Sequence, residues 1–197
     1  ELATIRALVE RRRRREPVAY ILGYRDFYNR RFKTDARALV PRPETELSVE
    51  AAVARLKARG DKALRVLDLG TGTGAIALSV AVERPTVRAW AVDASTDALA
   101  VARANLAGIG HAGTRVTLLE GSWFDPLPAD LQAAFDLVVT NPPYVAESDP
   151  LPPEVADWEP RQALIPGPTG LEAIEVIVAE APIWLRRPGA LVVELAP

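Results

Sequence analysis

The chain has 197 residues, of which 49% are apolar and 25% are charged, and its net charge is −2. This length predicts one substantial domain with a small appendage, and the net charge argues against a protein that binds nucleic acid by broad electrostatic attraction. Cysteine is absent and His111 is the only histidine, so disulfides are excluded and neither a metal site nor a Ser-His-Asp triad is expected.

No apolar run approaches the roughly 18 residues that a membrane-spanning helix needs, and no signal peptide is visible. We therefore expect a cytoplasmic protein without membrane attachment. The chain begins at Glu1 rather than at methionine and stops just after a strand-like run. We expect it to be part of a longer protein.

The N-terminal region, residues 1–16, is predicted to be the end of a helix, with five arginines at 11–15. Such a run favours either a solvated helix end, where it complements the helix dipole, or a contact with nucleic acid or an acidic protein. We favour the helix end. Residues 18–40 are rich in aromatic side chains and are predicted to form a short β-hairpin.

A rigid lead-in follows in Pro41-Arg-Pro-Glu-Thr-Glu46. Its prolines and acids are typical of a helix start. The helix is predicted to run to about Arg59, with Leu47, Ala51 and Ala54 on one face. Gly60-Asp61 is predicted to end it.

Five strands are predicted from here onward, at residues 64–69, 87–92, 115–119, 135–140 and 190–195. Helices are predicted at residues 75–83, 96–107 and 171–181, the last with a capping-box spacing from Thr169 to Glu172 and ended or kinked by Pro182. Alternating strands and helices indicate an α/β fold with a parallel, Rossmann-like sheet covered on both faces. Residues 145–168 are predicted to form a lid-like loop.

The stretch Asn141-Pro142-Pro143-Tyr144 follows the strand at 135–140. Two prolines make a stiff corner at the carboxyl end of that strand, where ligands bind in open α/β sheets. The Asn141 side-chain oxygen and the Pro142 carbonyl could each accept one N–H of a planar –NH2 group while Tyr144 packs on it. This geometry suits group transfer onto an amide or exocyclic amine nitrogen.

A second constellation, Asp68-Leu-Gly70-Thr71-Gly72-Thr73-Gly74, closes the strand at 64–69 and opens a helix. Glycines let the backbone come close to a ligand, and Asp93 ends the next strand, where a carboxylate can bind a ribose diol. Trp123 follows the third of these strands and could stack on an adenine. A nucleoside with a short zwitterionic arm fits this pattern, so S-adenosylmethionine is favoured over NAD.

With these residues in place, the sequence resembles the class I S-adenosylmethionine methyltransferases. More narrowly it resembles the HemK/PrmC family, which methylates the glutamine amide in the Gly-Gly-Gln motif of peptide chain release factors. Four further stretches carry this resemblance: Glu16-Pro-Val-Ala-Tyr-Ile-Leu-Gly23, Pro41-Arg-Pro-Glu-Thr-Glu46, Glu159-Pro-Arg-Gln-Ala-Leu164 and Gly167-Pro-Thr-Gly-Leu171.

The resemblance implies roles for the motif residues. Gly70, Gly72 and Gly74 would hold the methionyl part of the cofactor, Asp93 its ribose and Trp123 its adenine, while the Asn141–Tyr144 corner would hold the target amide. It also implies three parts: residues 1–16 ending an N-terminal helical docking domain, 17–43 a hairpin linker, and 44–197 a methyltransferase domain that continues further in the family.

Two departures from the family pattern stand out. Ser122 replaces an acid that commonly lies beside the adenine, and Asn29 replaces a glycine in the hairpin.

Three alternatives remain open. An adenine amino-methyltransferase would share the Asn141 corner, although the basic target-recognition region usual in those enzymes is not found. Methylation of a ribosomal-protein glutamine or of a lysine is a second possibility. The third is a release-factor or ribosome binding module without catalysis.

Overall fold

A computed structural model describes residues 2–60 and 62–195 of the chain. The helices are α1 Leu2–Arg13, α2 Val18–Leu22, α3 Thr45–Lys57, α4 Ala75–Glu83, α5 Thr96–Gly108, α6 Pro153–Ala156 and α7 Glu172–Trp184. The strands are β1 Tyr24–Phe27, β2 Arg30–Lys33, β3 Leu64–Leu69, β4 Val87–Asp93, β5 Val116–Glu120, β6 Phe135–Thr140 and β7 Leu185–Val193. Short 3-10 turns cover Gly110–Arg115, Ala129–Leu131 and Arg161–Ala163.

Five strands form one parallel sheet in the order β5-β4-β3-β6-β7, which confirms the predicted α/β architecture. Leu69, the last residue of β3, lies opposite Val92 of β4 and Thr140 of β6. The carboxyl ends of these three strands therefore lie side by side. The chain changes direction across the sheet between β3 and β6, and such a switch point opens a crevice for a ligand.

Apolar side chains cover both faces of the sheet. Side chains alternate along a strand, so Val66 packs with α3 and α4 on one face while Leu67 packs with α7 on the other. Trp184 is buried and stacks on Phe124 with ring centroids 6.0 Å apart, whereas Trp90 is partly buried and meets Phe135 edge-on. Both tryptophans pack in the apolar cluster on the α7 face of the sheet.

The hairpin is shorter than predicted. Residues 18–22 form helix α2, and only β1 and β2 make the antiparallel pair. Gly23 ends α2 with a left-handed φ of 78° and lets the chain turn directly into β1. Tyr28 and Asn29 form the hairpin turn with φ of 47° and 58°, so Asn29 performs the conformational role of the glycine it replaces.

Helix α3 buries a different face from the apolar one predicted for it. Leu47 is 67% exposed, and Ala51 and Ala54 also face solvent. The buried face carries Val49, Val53 and Leu56, together with the polar residues Thr45 and Ser48. Packing against β6 and β7 decides which face of α3 is buried, because Thr45 and Ser48 have hydrogen-bond partners at the carboxyl end of the sheet.

Several helices and strands begin or end a few residues away from their predicted bounds. Helix α7 continues through Pro182 to Trp184, and β7 begins at Leu185 rather than at residue 190. Gly60 turns the chain after α3 with φ of 78°. Asp61, the other residue of that predicted helix stop, lies outside the described residues, as do Glu1, Ala196 and Pro197. Within the described part of the chain, no helix combines the length and apolar character needed to cross a bilayer.

Candidate active site

The turn after β3 presents backbone rather than side chains to the crevice. Gly70 and Gly72 have φ of 68° and 57°. A Cβ added to Gly70 would lie 3.8 Å from Trp123 Cζ3 and 3.9 Å from the Asn141 carbonyl oxygen, and one added to Gly72 would meet nothing within 4 Å. Gly70 therefore lies where the glycine turn, the indole and the β6 corner converge.

Gly74 packs closely against α4. Its φ is 82°, and an added Cβ would lie 3.1 Å from Leu78 Cδ1 inside α4. The turn is fastened to its neighbours by backbone bonds, in which Thr71 N–H donates to the Val92 carbonyl at 2.9 Å and Gly74 N–H to the Thr71 carbonyl at 2.8 Å. Asn105 of α5 donates to the Thr73 carbonyl at 2.9 Å and also bonds the backbone of Lys33 in the hairpin.

Asp68 lies beneath this turn and is fully buried. Its Oδ2 accepts from Thr71 Oγ1 at 2.6 Å and from Ala77 N–H at 3.1 Å, while Oδ1 has no hydrogen-bond partner among the described residues. Burial raises the pKa of Asp68 to about 7. Asp68 thus shapes the turn from below and does not line the crevice.

Asp93 ends β4 and receives two backbone hydrogen bonds. Its Oδ2 accepts from Gly72 N–H at 2.7 Å and its Oδ1 from Ser95 N–H at 2.9 Å. Burial raises the pKa of this carboxyl despite the two bonds. Each oxygen keeps a second acceptor site, so Asp93 can hold the glycine turn and bind a diol at the same time.

Trp123 follows β5 in a left-handed conformation, with φ of 43°. Such a backbone is uncommon for a large side chain and is held by its surroundings. The partly buried indole packs against the apolar cluster on the α7 face of the sheet and also lines the crevice beside Ser122.

The corner after β6 holds Asn141 by its side-chain nitrogen. Nδ2 donates to Thr45 Oγ1 of α3 at 3.1 Å. Among the residues that the structure describes, none donates to Asn141 Oδ1 or to the Pro142 carbonyl. Burial, and next the charge of Glu194, raise the pKa of the Tyr144 hydroxyl. The two acceptors that the sequence singled out are therefore both unoccupied by donors of the described residues.

These elements enclose a crevice with about 790 Å³ of empty space, part of it open to solvent. Half of the predicted site residues line it, namely Gly70, Gly72, Asp93, Trp123, Asn141 and Pro143. The other half lie behind the lining or beside it, namely Asp68, Thr71, Thr73, Gly74, Pro142 and Tyr144.

Sequence reasoning assigned no role to several residues of the crevice wall. Arg37 and Leu39 precede α3, and Gln162 lies in the 3-10 turn of the segment 145–168. Buried Glu159 joins these two regions, because it accepts from Val40 N–H at 3.1 Å and pairs with Arg42. The stretch from Glu159 to Leu164 was part of the family resemblance, which is the signal that could have placed it at the site.

The crevice fits S-adenosylmethionine. The glycine turn leaves room for a close approach of the methionyl arm, as the open space at Gly72 shows. The Asp93 carboxylate suits the ribose diol, and the Trp123 indole offers a flat apolar surface for adenine. No acid lies at position 122, so the adenine would rely on stacking more than on a charged partner.

Solved structures of low sequence identity share this fold. The catalytic domain of hMettl16 in complex with a 3′UTR hairpin aligns with a TM-score of 0.58 at 15% identity, over 76% of this chain and 55% of that one. A 16S rRNA methyltransferase of T. thermophilus in complex with AdoMet and guanosine aligns with a TM-score of 0.50 at 22% identity, over 64% and 33% of the two chains. These similarities confirm the Rossmann-like methyltransferase architecture.

Sequence relatives are closer. The profile of the family described as "Methyltransferase small domain" matches residues 47–153. The release factor glutamine methyltransferase of Neisseria gonorrhoeae is 46% identical over 95% of this chain and 66% of its own length, and that of Xylella fastidiosa is 44% identical over 97% and 67%. The chain thus spans about two thirds of the length of these curated relatives. Its glycine turn, its Asn141 corner and this identity together show that the chain belongs to the release factor glutamine methyltransferase family.

Proposed function

We propose that the protein transfers a methyl group from S-adenosylmethionine to the side-chain amide nitrogen of the glutamine in the Gly-Gly-Gln motif of a peptide chain release factor. The observation that carries this proposal is the pair of available acceptors at Asn141 and Pro142, at the edge of a crevice that fits the cofactor. The names of the curated relatives support the substrate.

The substrate side of the site orients a weak nucleophile. The lone pair of an amide nitrogen is delocalised into the carbonyl, so its two N–H groups must be held while the lone pair faces the electrophile. Asn141 Oδ1 and the Pro142 carbonyl each accept one N–H, and Tyr144 packs against the flat amide. The contribution is positioning together with acceptors that complement the growing acidity of these N–H groups.

The cofactor side holds S-adenosylmethionine, which supplies a methyl group on a positively charged sulfur when it is bound. Gly70 and Gly72 give backbone access to the methionyl arm, and Asp93 binds the ribose while holding the turn. Trp123 stacks on the adenine. Asp68, Thr71, Thr73 and Gly74 keep the turn in shape from behind.

No general base is required by this arrangement. The amide nitrogen would gain its bond to the methyl carbon as the carbon–sulfur bond breaks and a neutral thioether leaves, and the surplus proton on nitrogen would then pass to solvent. The raised pKa of the Tyr144 hydroxyl keeps this group protonated, so it does not act as the base. The carboxylate of Glu194 accepts from the hydroxyls of Thr45 and Ser48, and Thr45 stands between this carboxylate and the side chain of Asn141.

Adenine in nucleic acid carries the same kind of planar amine, but the charges of this chain argue against it. Four of the five consecutive arginines face carboxylates: Arg11 pairs with Glu16, Arg12 with Glu154, and Arg13 and Arg14 with Glu10. These three carboxylates offset part of the positive charge that a phosphate backbone would need.

The N-terminal part is proposed to help dock the release factor in the cytoplasm. Helix α1 buries none of its residues against the described chain, and Leu2 and Ile5 are 72% and 56% exposed. The domain division at residues 16 and 43 remains part of this proposal.

Incubation of the protein with S-adenosylmethionine and a purified release factor tests the function. Mass spectrometry of the tryptic peptides should show one added methyl group on the Gly-Gly-Gln glutamine, and a release factor with that glutamine replaced by alanine should remain unmodified. Methylation of adenine-containing RNA or DNA, with the release factor unmodified, would contradict the proposal in favour of the nucleic-acid alternative.

A further inference from the structure

A chain of hydrogen bonds lies behind Asn141 and joins three distant parts of the sequence. Asn141 Nδ2 donates to Thr45 Oγ1 at 3.1 Å, and Thr45 Oγ1 donates to Glu194 Oε1 at 3.0 Å. Ser48 Oγ donates to the other oxygen of Glu194 at 3.3 Å. Thr45 and Ser48 are only 5% and 7% exposed, so solvent has little access to these bonds.

Each member of this chain has a fixed position. Thr45 and Ser48 lie in the first turns of α3, one helical turn apart, and face the sheet. Glu194 follows β7 directly, and its N–H donates to the Thr140 carbonyl at 3.0 Å. Because Thr140 precedes Asn141, the same strand pair that places Asn141 also places Glu194.

The ionised carboxylate of Glu194 determines which group donates in each hydrogen bond of this series. An ionised carboxylate can only accept, and a threonine hydroxyl has a single hydrogen to donate. Thr45 gives that hydrogen to Glu194, so it can only accept from Asn141. Asn141 must then present its nitrogen to Thr45, and Oδ1 faces the opposite way.

An asparagine amide is nearly symmetric in shape, so packing alone does not choose between its two orientations. In the reversed orientation Oδ1 would face the Thr45 oxygen, and Nδ2 would face the N–H groups of a substrate amide. Acceptor would then meet acceptor at one end and donor would meet donor at the other. Asn141 can accept a substrate N–H only in the orientation that the hydrogen bonds from Thr45 and Glu194 impose.

We propose that Thr45 and Glu194 are positioning residues, which fix the amide orientation of Asn141 so that Oδ1 accepts the substrate N–H. This inference rests on the proposed function for its consequence in catalysis, although the orientation itself is a property of the protein alone. Glu194 acts through its ionised form, since a protonated carboxyl could donate to Thr45 and release the hydrogen that sets the direction.

The electrostatic surroundings make this ionised form sensitive to pH. Burial raises the pKa of Glu194, the hydroxyls of Thr45 and Ser48 oppose this rise, and the charge of Glu44 adds to it. Tyr144 and Arg42 are the other titratable groups coupled to this corner. As the pH falls, protonation of Glu194 should therefore disrupt the direction of these hydrogen bonds at a higher pH than protonation of an ordinary glutamate would.

The central experiment compares Thr45→Val with Thr45→Ser. Valine keeps the shape but removes the hydroxyl, and serine restores it. The single-turnover methyl-transfer rate should fall about 10- to 100-fold in Thr45→Val, the range expected when a buried hydrogen bond is lost, and Thr45→Ser should recover most of it. Cofactor affinity measured by calorimetry should stay the same in both. A Thr45→Val protein that transfers at the wild-type rate would overturn the proposal.

Ser48→Ala is the matched control on the same helix face. It removes one bond to Glu194 but leaves the path from Glu194 through Thr45 to Asn141, so its rate loss should be smaller than that of Thr45→Val. An equal or larger loss would show that general disturbance of α3 explains the effects.

Glu194→Gln gives a second, isosteric test. The wild-type single-turnover rate should decline towards acid pH, and this acid limb should disappear in Glu194→Gln because the glutamine does not titrate. An unchanged acid limb would remove Glu194 from the role.

The orientation can also be measured without any methyl transfer. In protein labelled with 15N-asparagine, the side-chain N–H signals of Asn141 should show protection from solvent exchange that disappears in Thr45→Val. Loss of protection without any methylation of a release factor would keep the orientation and refute the proposed function. Unprotected signals in the wild-type protein would refute the orientation.

Discussion

The two halves of the crevice are built by different means. The cofactor half, which we propose to bind S-adenosylmethionine, consists of the glycine turn and Asp93. Its hydrogen-bond partners are close in sequence: Asp68 bonds Thr71, and Asp93 bonds Gly72, 21 residues away. The acceptor half is the corner at Asn141, where Asn141 bonds Thr45 across 96 residues and Thr45 bonds Glu194 across 149.

The two halves therefore depend on different properties: the first on the shape of the backbone, the second on the orientation of one amide group. The cofactor half needs turns that expose backbone, which glycines and one carboxylate provide within adjacent βα units. The acceptor half needs one amide held in one of two orientations, and that choice depends on hydroxyls contributed by another element. Substitutions in the first half should change affinity for the cofactor, whereas substitutions in the second should change the rate of transfer.

Asn141→Ala should show this separation most strongly. It removes the acceptor and should lower the single-turnover rate of methyl transfer about 100-fold or more, the usual cost of one such electrostatic contact. Affinity for S-adenosylmethionine should barely change, because Asp93 and the glycine turn remain. Near-normal transfer by Asn141→Ala would refute the orienting role and with it the choice of a planar amide as substrate.

Asp93→Ala should have the opposite profile. Loss of charge-assisted hydrogen bonds to a diol costs on the order of 2 kcal/mol, so cofactor affinity should weaken tens-fold in calorimetry. Since Asp93 also binds Gly72 and Ser95 backbone, the melting temperature must be measured in parallel. A stable variant with unchanged affinity would exclude Asp93 from the cofactor site.

Trp123→Ala tests the adenine contact. Stacking of one base on an aromatic side chain contributes roughly 1–3 kcal/mol, so affinity for the cofactor should fall about tenfold. Cofactor binding should also change the tryptophan fluorescence of the wild-type protein, and this response should be mostly lost in the variant. A response that survives would come from Trp90, Trp158 or Trp184, and the stacking assignment would be wrong.

Gly74→Ala and Gly70→Ala should have different effects, although both residues lie in the glycine turn. Gly74→Ala places a Cβ against Leu78 at a positive φ, so it should lower the free energy of unfolding by about 1–2 kcal/mol while the folded protein binds cofactor normally. Gly70→Ala carries its Cβ towards Trp123 and the Asn141 backbone and should weaken cofactor binding as well. Equal binding by the two variants would contradict this division.

The sequence alone determined most of the sheet and the cofactor half. Strands β3 and β6 and helix α4 have the predicted bounds, because continuous apolar runs are stopped by glycines or prolines. Local backbone preferences were also sufficient to place Gly70, Asp93 and Asn141 at strand ends. Since parallel strands end at one edge of the sheet, these three residues line the same crevice.

Only the tertiary structure decided which face of α3 is buried and what stands behind Asn141. Leu47 is more apolar than Thr45 or Ser48, and a pattern of apolar residues therefore selected the wrong face. Thr45 and Ser48 are buried because Glu194, brought beside Asn141 by the pairing of β6 with β7, provides the acceptors that satisfy their hydroxyls. Hydrogen-bond partners that lie 146 and 149 residues apart leave no local signal, since the free energy that buries them arises only after the sheet has formed.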